Sequence, residues 1–318
     1  MIHAQGFVST KSKVNHSQDM NTNYCELKGI GDAINAAMNI VEERQGLDDI
    51  PGVPSGYPSI DRMTRGWNRG DLVVIGGRPC VGKSTLLLRM ARNCAVQFGL
   101  PAAVFTMQMS SVEASNRLIS AETGIPMEKL EGFERMDKED WIHAEESLKK
   151  LAGSQLFLDD TPGLTPSDIS ERVRQLVKRR QVRAIFIDNL QAMIPDGRED
   201  SPRESRSEML RSLKEIATTF GVPVIVLTNV GRPKKAGRIR PTVTDLDEYC
   251  PLSADYADRI FLMDRPGLLR LDRDEEDLIG LELVRNKRGR TGFANLVFDE
   301  GLFRITEWHD KTEEDLPE

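Results

Sequence analysis

The stretch Gly77-Arg78-Pro79-Cys80-Val81-Gly82-Lys83-Ser84-Thr85 has the spacing of a phosphate-binding loop: two glycines separated by four residues, then a lysine and a hydroxyl residue. Glycines let backbone N–H groups turn inward around phosphate oxygens, and a helix opening at the lysine favours negative charge at its N-terminus. Gly77, Arg78, Pro79, Gly82 and Thr85 would form the cradle, Lys83 would reach the β- and γ-phosphates, and Ser84 would hold Mg²⁺. Cys80 reads as an inert filler of this loop. Such a site needs a carboxylate at the end of another buried strand, and Ala184-Ile185-Phe186-Ile187-Asp188 supplies one. Asp159 and Asp160 also end an apolar run and are alternatives, Asp188 being preferred.

Positive charge gathers in three places: Lys178-Arg179-Arg180, the set Arg232, Lys234, Lys235, Arg238 and Arg240, and Arg285-Asn286-Lys287-Arg288-Gly289-Arg290. Solvated faces are the ordinary reading of such runs. The second set follows an apolar strand, which makes it a candidate DNA-binding loop. It has no interleaved aromatic to stack bases, so backbone contact is the expected mode.

Positioning these residues requires a layered fold. Leu72 to Gly76, Ala103 to Met107, Leu156 to Asp159, Ala184 to Asp188 and Val222 to Thr228 read as strands. Helical stretches are expected near 83–98, 111–123, 137–151, 166–180 and 203–219. Continuous apolar strands alternating with helices imply an α/β domain with a mainly parallel sheet covered on both faces. Short runs at Leu281 to Val284, Asn295 to Phe298 and Phe303 to Thr306, set among Gly289, Gly292 and Gly301, suggest antiparallel hairpins at the sheet edge.

The 318 residues are 39% hydrophobic and 29% charged, which excludes a wholly disordered chain or a fibre. The net charge of −7 argues against a protein that coats nucleic acid non-specifically. Residues 1–24 read as a disordered tail and 309–318 as an acidic one. In segment 25–46, Leu27, Ile30, Ile34, Met38 and Val41 recur at helical spacing, and a linker follows from Leu47 to Pro54. The apolar stripe of that helix needs a cover, from its own domain or from a neighbouring subunit. Four scattered cysteines without a CxxC pair suggest reduced thiols, and no run is long and apolar enough for a membrane span, so a soluble, cytoplasmic protein with no membrane partner is expected.

The order of motifs resembles the C-terminal motor domain of the DnaB replicative helicase family, over nearly all of residues 27–308. Matching stretches include Gly56-Tyr57-Pro58-Ser59-Ile60-Asp61-Arg62-Met63-Thr64-Arg65-Gly66-Trp67, the phosphate loop, Phe105-Thr106-Met107-Gln108-Met109-Ser110, Ile187-Asp188-Asn189-Leu190-Gln191, Arg211-Ser212-Leu213-Lys214 and Ala257-Asp258. The resemblance implies a RecA-like P-loop ATPase core over 47–308 and a hexameric ring of identical subunits with ATP-Mg²⁺ between them. It also implies single-stranded DNA through the centre and a linker helix docking on the next subunit. The N-terminal domain that such helicases carry has no counterpart in this sequence, which bears on primase recruitment and ring stability.

Several positions depart from the family pattern. Gln108 stands where the family has the glutamate that activates water; a carboxamide orients water but accepts no proton. Arg285 and Lys287 match the segment that reaches a neighbour's ATP site, with lysine in place of the arginine finger and Arg288 as a substitute. In Asp245-Leu246-Asp247-Glu248-Tyr249-Cys250-Pro251, which matches a DNA-backbone loop, Glu248 is retained and Asp247 replaces an arginine. Asn229 stands where the family has a glutamine that senses γ-phosphate. Two functions follow from the resemblance: an ATP-dependent DNA helicase with attenuated hydrolysis, for which a full-length replicative helicase or primase is the expected protein partner, or a catalytically degenerate nucleotide-binding partner or regulator of a replicative helicase. A recombinase-type or KaiC-like ATPase shares the core but does not predict the linker helix.

Overall fold

The fold is that of a computed structural model, which describes residues 29–45, 50–197, 201–231, 240–251, 253–267 and 277–309. Its elements in order are α1 (Ile30–Gln45), α2 (Pro58–Thr64), β1 (Leu72–Gly77), α3 (Lys83–Arg92), β2 (Ala102–Thr106), α4 (Ser111–Thr123), α5 (Met127–Leu130), α6 (Lys138–Ala152) and β3 (Leu156–Asp159). They continue with α7 (Pro166–Arg180), β4 (Ala184–Asp188), α8 (Pro202–Phe220), β5 (Val224–Asn229), α9 (Val243–Leu246), α10 (Ser253–Tyr256), β6 (Arg259–Asp264), β7 (Leu278–Asn286), β8 (Gly292–Asp299) and β9 (Arg304–Glu307). The chain divides into two units, residues 1–48, which contain α1, and residues 49–318. On α1, Ile30, Ile34 and Met38 are exposed.

The second unit is built on one nine-stranded sheet ordered β3-β2-β4-β5-β1-β6-β7-β8-β9. The strands from β3 to β6 run parallel, and β7, β8 and β9 add antiparallel pairs. Strand side chains alternate between faces, so a strand covered on both sides must be apolar throughout. In β1, Val73 and Ile75 enter one core with α3, while Leu72 and Val74 enter the other with α8. Helices start where side chains supply the missing acceptors. Ser110 accepts from the Glu113 N–H, and the pairs Asp137/Asp140 and Thr165/Asp168 form capping boxes.

Sequence expectation and structure differ in three places that matter. β6 was not among the expected strands, although Ile260-Phe261-Leu262-Met263 is a continuous apolar run; it lies between β1 and the antiparallel hairpins. The helix expected over 83–98 is α-helical to Arg92 and closes with a π turn over Asn93–Gln97. Val53, placed in a linker, is buried and bridges to Trp67.

Candidate nucleotide site

The phosphate loop runs from the end of β1 into the start of α3. Gly82 caps that helix at φ +95° and no side chain caps it, so the first N–H groups of α3 are left for another acceptor. A β-carbon at φ +95° would be strained, which makes Gly82 a requirement of the turn. Cys80 also holds a left-handed φ of +65° without being glycine, a local strain of order 1 kcal/mol. Gly77 is needed for space: a β-carbon there would lie 3.0 Å from the Met263 carbonyl oxygen.

Lys83 is buried, and its Nζ donates to the carbonyl oxygens of Gly77 at 2.8 Å and Arg78 at 2.6 Å. Burial lowers its pKa to about 8, with the Asp188 carboxylate pulling the other way. Asp188, at the end of β4, is buried as well, and burial raises its carboxyl above the ordinary range. The Ser84 hydroxyl, the Lys83 charge and Asn189 partly offset that rise. A buried ammonium, a hydroxyl and a buried carboxylate therefore meet at the C-terminal end of the parallel strands, beside uncapped helix N–H groups. This donor set fits a magnesium-bound triphosphate: the cation and N–H groups suit phosphate, the hydroxyl and carboxylate suit Mg²⁺. Asp159 and Asp160 are committed elsewhere. Asp159 pairs with Arg172 and accepts from the Thr161 N–H, Asp160 accepts from the Ser111 N–H at 2.7 Å, and β3 is the sheet edge four strands from β1. Arg78 is half-buried, Pro79 exposed and Thr85 buried.

Gln108, just past β2, is exposed, and its Oε1 accepts from Asn189 Nδ2 at 3.1 Å. The Met107 N–H donates to the Asp188 carbonyl at 3.2 Å, which fixes the end of β2 beside that of β4. Asn229 ends β5, and its N–H donates to Gln191 Oε1 at 3.2 Å. The same Gln191 donates from Nε2 to Thr228 Oγ1 at 2.8 Å and to the Tyr249 carbonyl at 3.2 Å. Sequence reasoning gave Gln191 no role, although it lies three residues beyond Asp188. It ties the end of β5 to the loop after α9.

Arg285 and Lys287 lie away from this loop. Gly77 pairs with Met263 near the end of β6, whereas Arg285 pairs with Ile260 near its start. Three steps along the strand, roughly 10 Å, separate the two positions. Lys287 Nζ is 3.5 Å from Asp258 Oδ1, and Arg288 Nε is 3.3 Å from Asp71 Oδ1. Among the described residues no ion pair engages Arg285. Arg240, expected at a DNA contact, lies 3.7 Å from the buried Asp264 carboxylate, with its guanidinium 4.6 Å from the Phe293 ring centroid. Arg232, Lys234, Lys235 and Arg238 lie outside the described residues. Glu248 is exposed, and its carbonyl accepts from Arg206. A separate cavity of about 380 Å³, lined by Phe105, Phe157, Arg172 and Arg179 among others, opens near β3, away from these groups.

Among the described residues no helix is long and apolar enough to cross a membrane, and Cys94 and Cys250 are buried thiols pushed up to about 12 by burial.

Residues 52–307 match the family described as the DnaB-like helicase C terminal domain. The replicative DNA helicase DnaB of Leifsonia xyli is 30% identical over 274 residues, 86% of this chain and 59% of the relative. A probable replicative DNA helicase of Trieres chinensis is 33% identical over 266 residues, 81% of this chain and 58% of the relative. The chain thus spans about three-fifths of the length of such curated relatives. Among solved structures, one described as an ATPase domain superposes with a TM-score of 0.81 at 26% identity, covering 89% of this chain and 100% of that one. A DnaB-like replicative helicase, studied for its interactions with primase, gives 0.78 at 26% identity and covers 89% of this chain and 68% of that one. A KaiC-like protein of Pyrococcus horikoshii, 18% identical with a TM-score of 0.54 over 81% of this chain and 98% of its own, shares the fold alone. With a RecA-like sheet, its antiparallel C-terminal strands and a family match that runs from just before α2 through β9, the chain belongs to the DnaB-like helicase C-terminal domain family.

Proposed function

We propose that this chain is the ATP-driven motor of a replicative DNA helicase, binding ATP-Mg²⁺ and single-stranded DNA in the cytoplasm and acting as a hexameric ring. The observation that carries the reading is the meeting of Lys83, Ser84 and Asp188 at the end of β1 and β4, within a family match over residues 52–307. A magnesium ion held by Ser84 and Asp188 would offset the negative charge that develops on the phosphates. Lys83 supplies the fixed positive charge, and its two loop carbonyls give way to phosphate oxygens. Ser84 and Asp188 present oxygens to the metal. Gln108, held by Asn189, orients water without taking its proton, so turnover is slow. Asn229 reports on the γ-phosphate side through Gln191.

Arg285 and Lys287, at the far end of β6, serve the site of the next subunit, and Arg285 is the freer of the two. The exposed Ile30, Ile34 and Met38 of α1 cover an apolar patch on that neighbour. The residues from Arg232 to Arg240, together with Glu248, make the DNA contact of the reading. Primase, with which one similar solved protein interacts, and a full-length replicative helicase are the candidate protein partners. The test is steady-state ATP hydrolysis with Mg²⁺, with and without single-stranded DNA, at a stated low salt. DNA-stimulated turnover that disappears in Lys83→Ala is the expected result. Tight ATP binding without turnover, persisting in Gln108→Glu, would sink the motor reading.

A further inference from the structure

Strand β3 is one edge of the sheet, and among the described residues it pairs with β2 alone. The Gln155 carbonyl accepts from the Ala102 N–H. In a parallel ladder alternate residues turn their backbone groups to the same side, so those of Leu156 and Leu158 face outward. Among the described residues no further hydrogen bond engages them. All four residues of β3 are half-buried, and an open edge of this kind is a template for another segment of chain. Beside it α7 ends in Lys178-Arg179-Arg180, all three exposed and, among the described residues, in no ion pair. The Arg180 guanidinium lies 5.6 Å from the Phe157 ring centroid. The cavity of about 380 Å³ between α7 and strands β2 and β3 has Phe105, Phe157 and Leu176 in its wall, with Arg179 and Arg180 also lining it. Arg172 is already paired with Asp159.

An occupant must therefore bring backbone groups for the edge, an apolar side chain for the cavity and carboxylates for the guanidinium groups. One segment of this chain has that chemistry. Asp310-Lys311-Thr312-Glu313-Glu314-Asp315-Leu316-Pro317-Glu318 carries five carboxylate side chains, one lysine and one large apolar group, Leu316. Nine residues reach at most about 30 Å. The segment follows β9, the opposite edge of the sheet, eight strand spacings or roughly 38 Å from β3 measured along the sheet. That reach favours a groove on another molecule. We infer that the acidic segment 310–318 of one molecule docks on the β3 edge of a second copy, with Leu316 entering the cavity beside Phe157 and the carboxylates meeting Arg179 and Arg180. Main-chain bonds to an edge give affinity, and the alternating side chains give selectivity. Pro317 has no N–H to donate, so it would blunt the new edge against further addition. The inference does not rest on the nucleotide site.

The test is fluorescence anisotropy of a labelled synthetic peptide of residues 309–318. It is titrated with the full chain carrying Glu313→Lys, Glu314→Lys and Asp315→Lys, whose own segment no longer competes. Saturable binding is expected, and weaker binding to the wild type, whose own segments occupy the groove. Adding Arg179→Glu and Arg180→Glu should weaken the peptide at least about tenfold, since like charges then face each other. A peptide with the same three lysines should bind this groove variant instead, an exchange that mere damage to the fold would not produce. Leu316→Asp in the peptide should abolish binding, and Arg174→Glu, on α7 but outside the cavity, should leave it unchanged. No binding to the lysine-bearing chain overturns the inference. So does binding that survives both the groove changes and Leu316→Asp. Peptide binding blocked in a wild type that light scattering shows to be monomeric means docking within one molecule, and overturns the second-copy assignment. None of these outcomes reads ATP turnover, so the motor reading stands or falls separately.

Discussion

Asn189 donates from Nδ2 to the Oε1 of Gln108 at 3.1 Å, so the carboxamide at the water-facing end of β2 is fixed by the residue that follows Asp188. A carboxylate at position 108 can accept the same hydrogen bond and can also take a proton from water. Gln108→Glu is therefore expected to raise the ATP turnover number by at least about tenfold, because general-base help is worth roughly 10²–10⁴. A coupled-enzyme assay at saturating ATP checks it, and unchanged turnover would assign the slow step elsewhere.

The buried ammonium of Lys83 makes the stability of the nucleotide-free chain rise with pH in the alkaline range. Its pKa falls to about 8 in the fold from 10.5 for the free side chain, so between those values the unfolded chain holds the extra proton. Stability from this group therefore rises with pH across that window, and below it the cost of the buried charge is constant. The denaturation midpoint of the wild type should gain on that of Lys83→Met as pH moves from 8 towards 10. A constant gap would show that the lysine is better solvated than its position implies.

Asp258 is a hub of the opposite kind. It accepts from the Leu72 N–H at 2.8 Å and from Lys214 Nζ at 2.6 Å, and Lys287 lies 3.5 Å away. Burial alone would raise its carboxyl; Lys214, the Leu72 N–H and the Lys287 charge outweigh burial and hold it below the usual range. Asp258→Ala is expected to cost about 2–3 kcal/mol by urea denaturation at neutral pH. A lowered carboxyl stabilises the fold above its unfolded value, near 4, and that gain is lost as pH falls through the folded value. The difference between the two proteins should thus shrink on acidification below pH 4.

Ile34 and Met38 on α1 are 54% and 51% exposed. If they cover a neighbour, Met38→Asp introduces a charge into an apolar contact and should shift the chain from oligomer to monomer in light scattering. Its midpoint of thermal unfolding should stay within a few degrees, because the helix lies outside the unit that holds the sheet.

The strand, loop and helix around Gly77–Lys83 and the strand end at Asp188 were legible in the sequence because each combines a local motif with an apolar strand, and local pattern is what a one-dimensional string carries. The parallel sheet was legible for the same reason. β6 escaped although its residues are as apolar as those of β1, since no glycine or motif marked its start and its buried Arg259 and Asp264 break the run at both ends. Contacts between distant residues were not legible. Nothing in the string ties Arg240 to Asp264, Arg203 to Asp247, or Gln191 to Tyr249; those pairings exist only once the sheet order brings the loops together. Resemblance to the family located the segment with Arg285 and Lys287, and only the register of β6 with β7 showed which end of the sheet it occupies.

That register has a consequence for dilution. Each molecule carries the phosphate loop at one end of β6 and Arg285 at the other, so if Arg285 serves the neighbour's loop as proposed, a lone chain holds two unmatched halves of a site. Specific activity should then climb with protein concentration instead of staying flat. Two separately inert preparations, Lys83→Ala and Arg285→Ala, should regain part of the rate when mixed, because some junctions in a mixed ring pair an intact loop with an intact arginine.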